Sequence, residues 1–142
     1  MNFLSHYYFD RKKNNAYEVL GMLLPDLLKN ANKNWNPHPE KSEYLFENNY
    51  HHQEILTGWK RHLAVDKLFH NSAFFIHHQH KIKLCLKDSL IGSPVKPFFL
   101  GHISLELLLD SLLITERLIS IDSLYKALHQ IEISVIKSFL IM

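Results

Sequence analysis

His102, Glu106 and Asp110 stand four residues apart in "GHISLELLLD", residues 101–110, inside an apolar run from Pro97 to Ile114. Four helical residues advance about 400°, so each side chain drifts only about 40° from the last and all three project from nearly one face. Ionisable groups buried without partners cost several kcal/mol, so the stripe calls for a metal, a buried cation or water in a cavity beside it. The segment "GWKRHLAVDKLFH" repeats the pattern with His62 and Asp66, flanked by Trp59, Leu63, Val65 and Leu68. Imidazole and carboxylate at this spacing can reach one ion. A nitrogen and oxygen donor set without cysteine suits Mn²⁺, Fe²⁺, Zn²⁺ or Mg²⁺ better than a structural thiolate site. The plainer reading of such pairs is a surface acid–base pair on a helix.

Two further groups join the candidates. His6 follows Phe3 and Leu4 and reads equally as a core histidine, while Asp26 follows Pro25 and reads equally as a cap. The chain holds eleven histidines, and "HHQH" at 77–80 has no partner cluster with ligand spacing, so it is expected on a solvated face. His51, His52, His70 and His129 receive no role. Cys85, in "IKLCLK", reads as a small buried hydrophobe rather than a nucleophile. With four glycines and no phosphate-loop or dinucleotide spacing, a P-loop route is excluded.

These residues need helices to hold them. Glycine and proline are sparse and leucine is abundant, which favours an all-α fold. A first helix begins at Phe3, and a second runs from Ala16 to Leu28 with Tyr17, Leu20, Leu23, Leu24, Leu27 and Leu28 as its buried stripe. Pro25 is expected to kink it or to restart it at "PDLLKN". A long loop follows to Tyr44, then helices over about Leu56 to His70, Ser72 to Leu90 and Phe98 to Thr115, the last a core helix. A sixth is expected from Ile121 to the chain end, capped by Asp122 or Ser123. One helical domain of about six helices results.

The 142 residues suffice for one sizeable core. A net charge of +2 is too mild to announce nucleic acid. One cysteine and the absence of a signal-peptide pattern predict a reducing, cytoplasmic setting. The ionisable groups inside the apolar run argue against a membrane span. The apolar C-terminal "IEISVIKSFLIM" predicts either truncation or a face covered by a second copy, hence a homodimer.

Taken together, "MNFLSH" at 1–6, "GMLLPD" at 21–26, "GWKRHLAVD" at 58–66 and "LELLLD" at 105–110 resemble the acyl carrier protein phosphodiesterase family. Its pattern is Met-Asn-Phe-Leu-x-His, Gly-x-Leu-Leu-x-Asp, Gly-x3-His-x3-Asp, then two acids four apart in an apolar helix. The resemblance implies an HD-like fold in which His6, Asp26, His62, Asp66, Glu106 and Asp110 line one metal pocket, with His102 added by spacing alone. It also implies hydrolysis of the phosphodiester joining 4′-phosphopantetheine to a serine of acyl carrier protein, with a divalent metal, commonly manganese. Asp26, His62 and Asp66 are the residues expected to carry the reaction. Ser111 stands where the family often has histidine, and Leu63 and Ala64 replace its arginines.

Such a metal polarises a phosphoryl oxygen and acidifies a water, while a further Asp or His moves protons. An acidic carrier protein would be drawn to Arg11, Lys12, Lys13, Lys60, Arg61 and the lysines of residues 29–41. Two rivals remain. The same pocket would serve an HD-like phosphohydrolase of a nucleotide or small phosphoester. A non-catalytic binding or assembly module would instead satisfy the stripe with Lys60, Arg61 or Lys67.

Overall fold

Most helices begin on a residue suited to starting one. Asn2 accepts the Phe3 amide at the head of α1 (Phe3–Asp10), and Asn15 accepts the Tyr17 and Glu18 amides at the head of α2 (Ala16–Ala31). Asn49 caps α3 (Tyr50–His70), Ser72 caps α4 (Ala73–Leu86), and Pro97 opens α5 (Pro97–Thr115). Ser120 caps α6 (Ile121–His129), which is followed by α7 (Ile133–Ile141). The short polar caps satisfy amides that have no partner within their own helix, and proline has no such amide to satisfy. This computed structural model describes every residue but Asn14, Asn36 and Met142, and among the described residues the fold is all-α without strands.

α2 and α3 form the central pair. A Cβ placed on Gly21 would lie 2.0 Å from the Ile55 carbonyl oxygen, and one on Gly58 would lie 2.1 Å from the Glu18 carbonyl oxygen. The two backbones therefore touch at a crossing that only glycine permits. Around it Leu20, Leu24, Leu28, Ile55, Leu56 and Trp59 bury with Phe46 and Phe139, while Val19, Met22 and Leu23 pack on Tyr7 of α1 and Leu124 of α6. The expected stripe of α2 is largely buried, although Leu27 is exposed; on α3, Leu63 and Leu68 face outward and His52 and His62 take inward positions.

Several boundaries differ from those the sequence predicts. α2 runs through Pro25 as one element, without restarting at "PDLLKN". Its internal cost is the lost bond to the Gly21 carbonyl. α3 starts at Tyr50 rather than near Leu56 because Asn49 supplies the cap. The expected long loop contains 3-10 turns at Pro39–Lys41 and Glu43–Phe46, drawn inward by buried Pro39 and Phe46 and by the Trp59 indole donating to Glu40 at 2.9 Å. Ser120, not Asp122 or Ser123, caps α6, and the expected single last helix is two. A continuous helix from Ile121 to Ile141 would extend about 30 Å. The break lets Leu124 reach α2 while α7 turns Phe139 into the core beside Phe46 and His52.

α5 departs furthest from expectation. It is no core helix: Phe98, Phe99, Leu107, Leu108 and Leu112 are exposed, and by length and composition it is apolar enough to cross a bilayer. One side packs on α4, where a Cβ on Gly101 would come within 2.9 Å of the Gln79 carbonyl, and another meets α1 through buried Leu105 and Asp110. Among the described residues, nothing else covers it over most of its length.

The crossing of α2 and α3 should be intolerant of one added methyl. Gly58→Ala drives a Cβ into backbone, which no rotamer change relieves, so a loss of about 3 kcal/mol or more is expected in urea unfolding. Gly92→Ala, at φ +81° in open space, should cost only about 1 kcal/mol. Equal losses at the two positions would refute the close-contact account.

Candidate metal centre

The crossing of α2 and α3 sets His62 first. Its Nδ1 donates to the Met22 carbonyl at 2.8 Å, one residue beyond Gly21. That turn of α2 is already short of a backbone bond at Pro25. With the proton fixed on Nδ1, the Nε2 lone pair of His62 points to the side where Asp26 Oδ1 lies 3.8 Å away. His6, from α1, stacks on His62 with ring centroids 4.0 Å apart. It is 1% exposed, and neither of its ring nitrogens has a well-formed hydrogen bond. The nearest carboxylate is Asp66 Oδ1, 3.8 Å from His6 Nε2. His6, His62 and Asp66 thereby offer ligand atoms within 4.8 Å of one another.

A second group adjoins the first. His70 and His102 each place Nε2 about 3 Å from Glu106 Oε1, at 3.1 and 3.0 Å respectively. These ligand atoms, too, lie within 4.8 Å of one another. The Met1 amine pairs with Asp66 and lies 3.2 Å from Glu106, so the two carboxylates converge on one cationic atom. A cleft of about 470 Å³ opens here, lined by Asp26, Lys29, Asp66, His70, His102 and Glu106 among others.

Electrostatics separates the groups. Burial, with help from His62 and the Met1 amine, lowers the pKa of His6 to about 3 against Asp66 and Met1 backbone effects that raise it. Burial also lowers His62, opposed by Asp26 and the Met22 carbonyl. Both rings are thus neutral ligands at ordinary pH. Burial raises the Asp26 carboxyl, with His62, the Met1 amine and Lys29 resisting. Burial works in the same direction on Asp66, but the Met1 amine, His70 and His62 outweigh it and hold that carboxyl below its usual range.

Six of the seven expected ligands meet here: His6, Asp26, His62, Asp66, His102 and Glu106. Asp110 is the exception. Its Oδ1 accepts the Ser5 amide at 2.8 Å and the Ser5 hydroxyl at 2.6 Å, and its Oδ2 accepts the Leu4 amide at 3.2 Å. It serves as a carboxylate latch on the N-terminus of α1, where helix amides and dipole favour negative charge. Both oxygens accept from α1, and Asp110 is in neither the His6, His62 and Asp66 group nor the His70, His102 and Glu106 group. His70 is the residue the sequence reading passed over. The signal was present as a third member, four residues after Asp66, of the 62, 66, 70 series that mirrors 102, 106, 110.

The neighbouring cations are mostly engaged elsewhere. Arg61 pairs with Asp10 at 3.0 Å, Lys60 with Glu43 at 2.8 Å, and Lys13 with Glu18 and Asp10. Neither Lys60 nor Arg61 is the partner of the stripe. Lys29 is the lysine at the cleft. Cys85 is exposed on α4, contrary to its expected burial. No family model, curated protein or solved structure matches the chain.

Two outcomes follow from this geometry. Between pH 6.5 and about 3 the unfolded chain binds a proton at His6 that the folded chain refuses. The metal-free fold should therefore hold full stability above pH 6.5 and lose about 1.4 kcal/mol per pH unit below it, more steeply with His62 shifting the same way. Urea unfolding in chelator measures the slope, and His6→Phe should flatten it. Asp110→Ala should cost about 2–3 kcal/mol by freeing the α1 amides, with Asp110→Asn recovering part. If the alanine variant is as stable as the parent in thermal unfolding, the latch carries no weight.

Proposed function

We propose that this chain is a metal-dependent phosphodiester hydrolase of the acyl carrier protein phosphodiesterase type, acting on 4′-phosphopantetheine attached to a carrier protein serine. The observation that carries the reading is the pair of stacked, neutral, buried imidazoles beside Asp66, one of them with both ring nitrogens lacking a well-formed hydrogen bond. Leaving such atoms unsatisfied in a core is costly, and a divalent ion facing His6, His62 and Asp66 would remove the cost at one of the two His6 nitrogens. The donor set fits Mn²⁺, with Fe²⁺, Zn²⁺ or Mg²⁺ as alternatives. When bound, the ion supplies charge against a phosphoryl oxygen and a more acidic water.

The chain's own residues then divide the work. His62, pinned by the Met22 carbonyl, holds its lone pair toward the site, and Asp66 holds negative charge there. Asp26, whose carboxyl burial raises, is the group suited to carry a proton to the serine oxygen as the phosphorus–oxygen bond breaks. Lys29 supplies positive charge at the cleft for an anionic substrate. The products are a carrier protein with a free serine hydroxyl and phosphopantetheine. The same chemistry on a nucleotide or small phosphoester is the second enzymatic reading, and Lys29 serves it equally.

Release of phosphopantetheine from holo acyl carrier protein, followed by mass spectrometry with Mn²⁺ added, tests the proposal. Asp26→Asn should lower the rate by about 10²- to 10⁴-fold. His62→Ala should lose both metal and activity. If the holo protein stays intact while a small phosphodiester is cleaved, the carrier-protein substrate is wrong and the hydrolase reading stands; if both stay intact, the enzymatic reading fails.

A further inference from the structure

His70 faces two carboxylates. Its Nδ1 lies 3.2 Å from Asp66 Oδ2 and its Nε2 lies 3.1 Å from Glu106 Oε1. Carboxylate oxygens only accept, and a neutral imidazole has a single N–H. The single N–H of a neutral His70 can serve only one of these carboxylates, so its other nitrogen faces a carboxylate oxygen with a lone pair. His102 adds a second Nε2 at 3.0 Å from the same oxygen. Two nitrogens and an oxygen from two helices thus crowd one point, and the Met1 amine shows that a cation is drawn to the adjoining gap, 3.2 Å from Glu106.

We infer that His70, His102 and Glu106 form a second divalent-cation site, coupled through Asp66 to the site of His6 and His62. Asp66 Oδ1 lies 3.8 Å from His6 Nε2 and Asp66 Oδ2 lies 3.2 Å from His70 Nδ1, so one carboxylate stands between the two groups, as outer carboxylates stand beside ligating imidazoles. A His, His, Glu set leaves coordination positions open toward the cleft, and the three side chains are only partly buried, so an ion and a substrate oxygen can both enter. The catalytic use of two cations, one on each side of a phosphoryl group, rests on the phosphodiesterase reading; the site itself does not.

Equilibrium dialysis of the full chain against Mn²⁺ alone, with elemental analysis, tests this. The parent should bind about two ions per chain, and both His102→Ala and His70→Ala should bind about one. Electron paramagnetic resonance should show coupled manganese in the parent and uncoupled manganese in the variants. The partly exposed His102 tolerates replacement, and Glu106→Gln, of equal size, supplies an independent check with circular dichroism confirming the fold. One ion in the parent, retained in His102→Ala and His70→Ala, overturns the second site and leaves the hydrolase reading standing. No ion in any of them overturns both and leaves the cluster as a hydrogen-bond network around Glu106.

Discussion

The close approach of Gly21 to the Ile55 backbone and of Gly58 to the Glu18 backbone fixes everything that follows in this molecule. Two helices whose backbones touch have no freedom to slide, because any shift drives a carbonyl into a Cα. That fixed register brings the Met22 carbonyl within 2.8 Å of His62 Nδ1, which selects the tautomer and frees Nε2. Asp26, one turn further along α2, then falls opposite that nitrogen. The site is thus assembled by backbone packing before any charged group has a choice of partner.

α1 enters by a different device. Its stack of His6 on His62 requires the helix to sit at one height against α3, and Asp110 sets that height by gripping the amides of Leu4 and Ser5. The residue that looked like a ligand by spacing therefore acts by locating the His6 imidazole on another helix. Within the site, carboxylates of nearly equal intrinsic acidity part company: Asp66 is pushed down by the Met1 amine and Asp26 is pushed up by burial. Environments that separate two like groups in this way would suit one to holding charge and the other to carrying a proton in the proposed reaction.

Much of this was legible in the chain. Apolar period foretold the helices but not all their starts, which are set by the caps: Asn15, Asn49 and Ser72 act on amides two or three residues away, and the period alone, without Asn49, makes α3 too short. The i, i+4 spacing foretold which faces of α3 and α5 hold the polar groups. What spacing cannot express is the partner across space, so Asp110 reads the same as Glu106 although it meets a helix terminus instead of a cluster of imidazoles. His70 was obscured by the number of histidines near it. The glycines at 21, 58 and 101 read as mere scarcity, since close approach is a property of two segments and neither announces it alone. The break between α6 and α7 was hidden for the same reason: an apolar pattern continues across it, and only the position of Phe46 shows where Phe139 must go.

α5 answers why so apolar a segment carries three ionisable groups in a line. Its exposed leucines and phenylalanines contribute little burial within the chain, so apolar packing alone holds it weakly beyond α4. The polar stripe supplies the missing attachments. Asp110 binds α5 to α1, and Glu106 meets His70 of α3 and the Met1 amine. A cation accepted by Glu106 and His70 would join helices that otherwise touch sparsely, so its binding energy would appear as stability of the α4–α5 hairpin on the central pair. In this arrangement Glu106 would both bind the ion and fasten the helix to α3, so neither of its tasks can be altered without the other, while Asp110 fastens the helix alone.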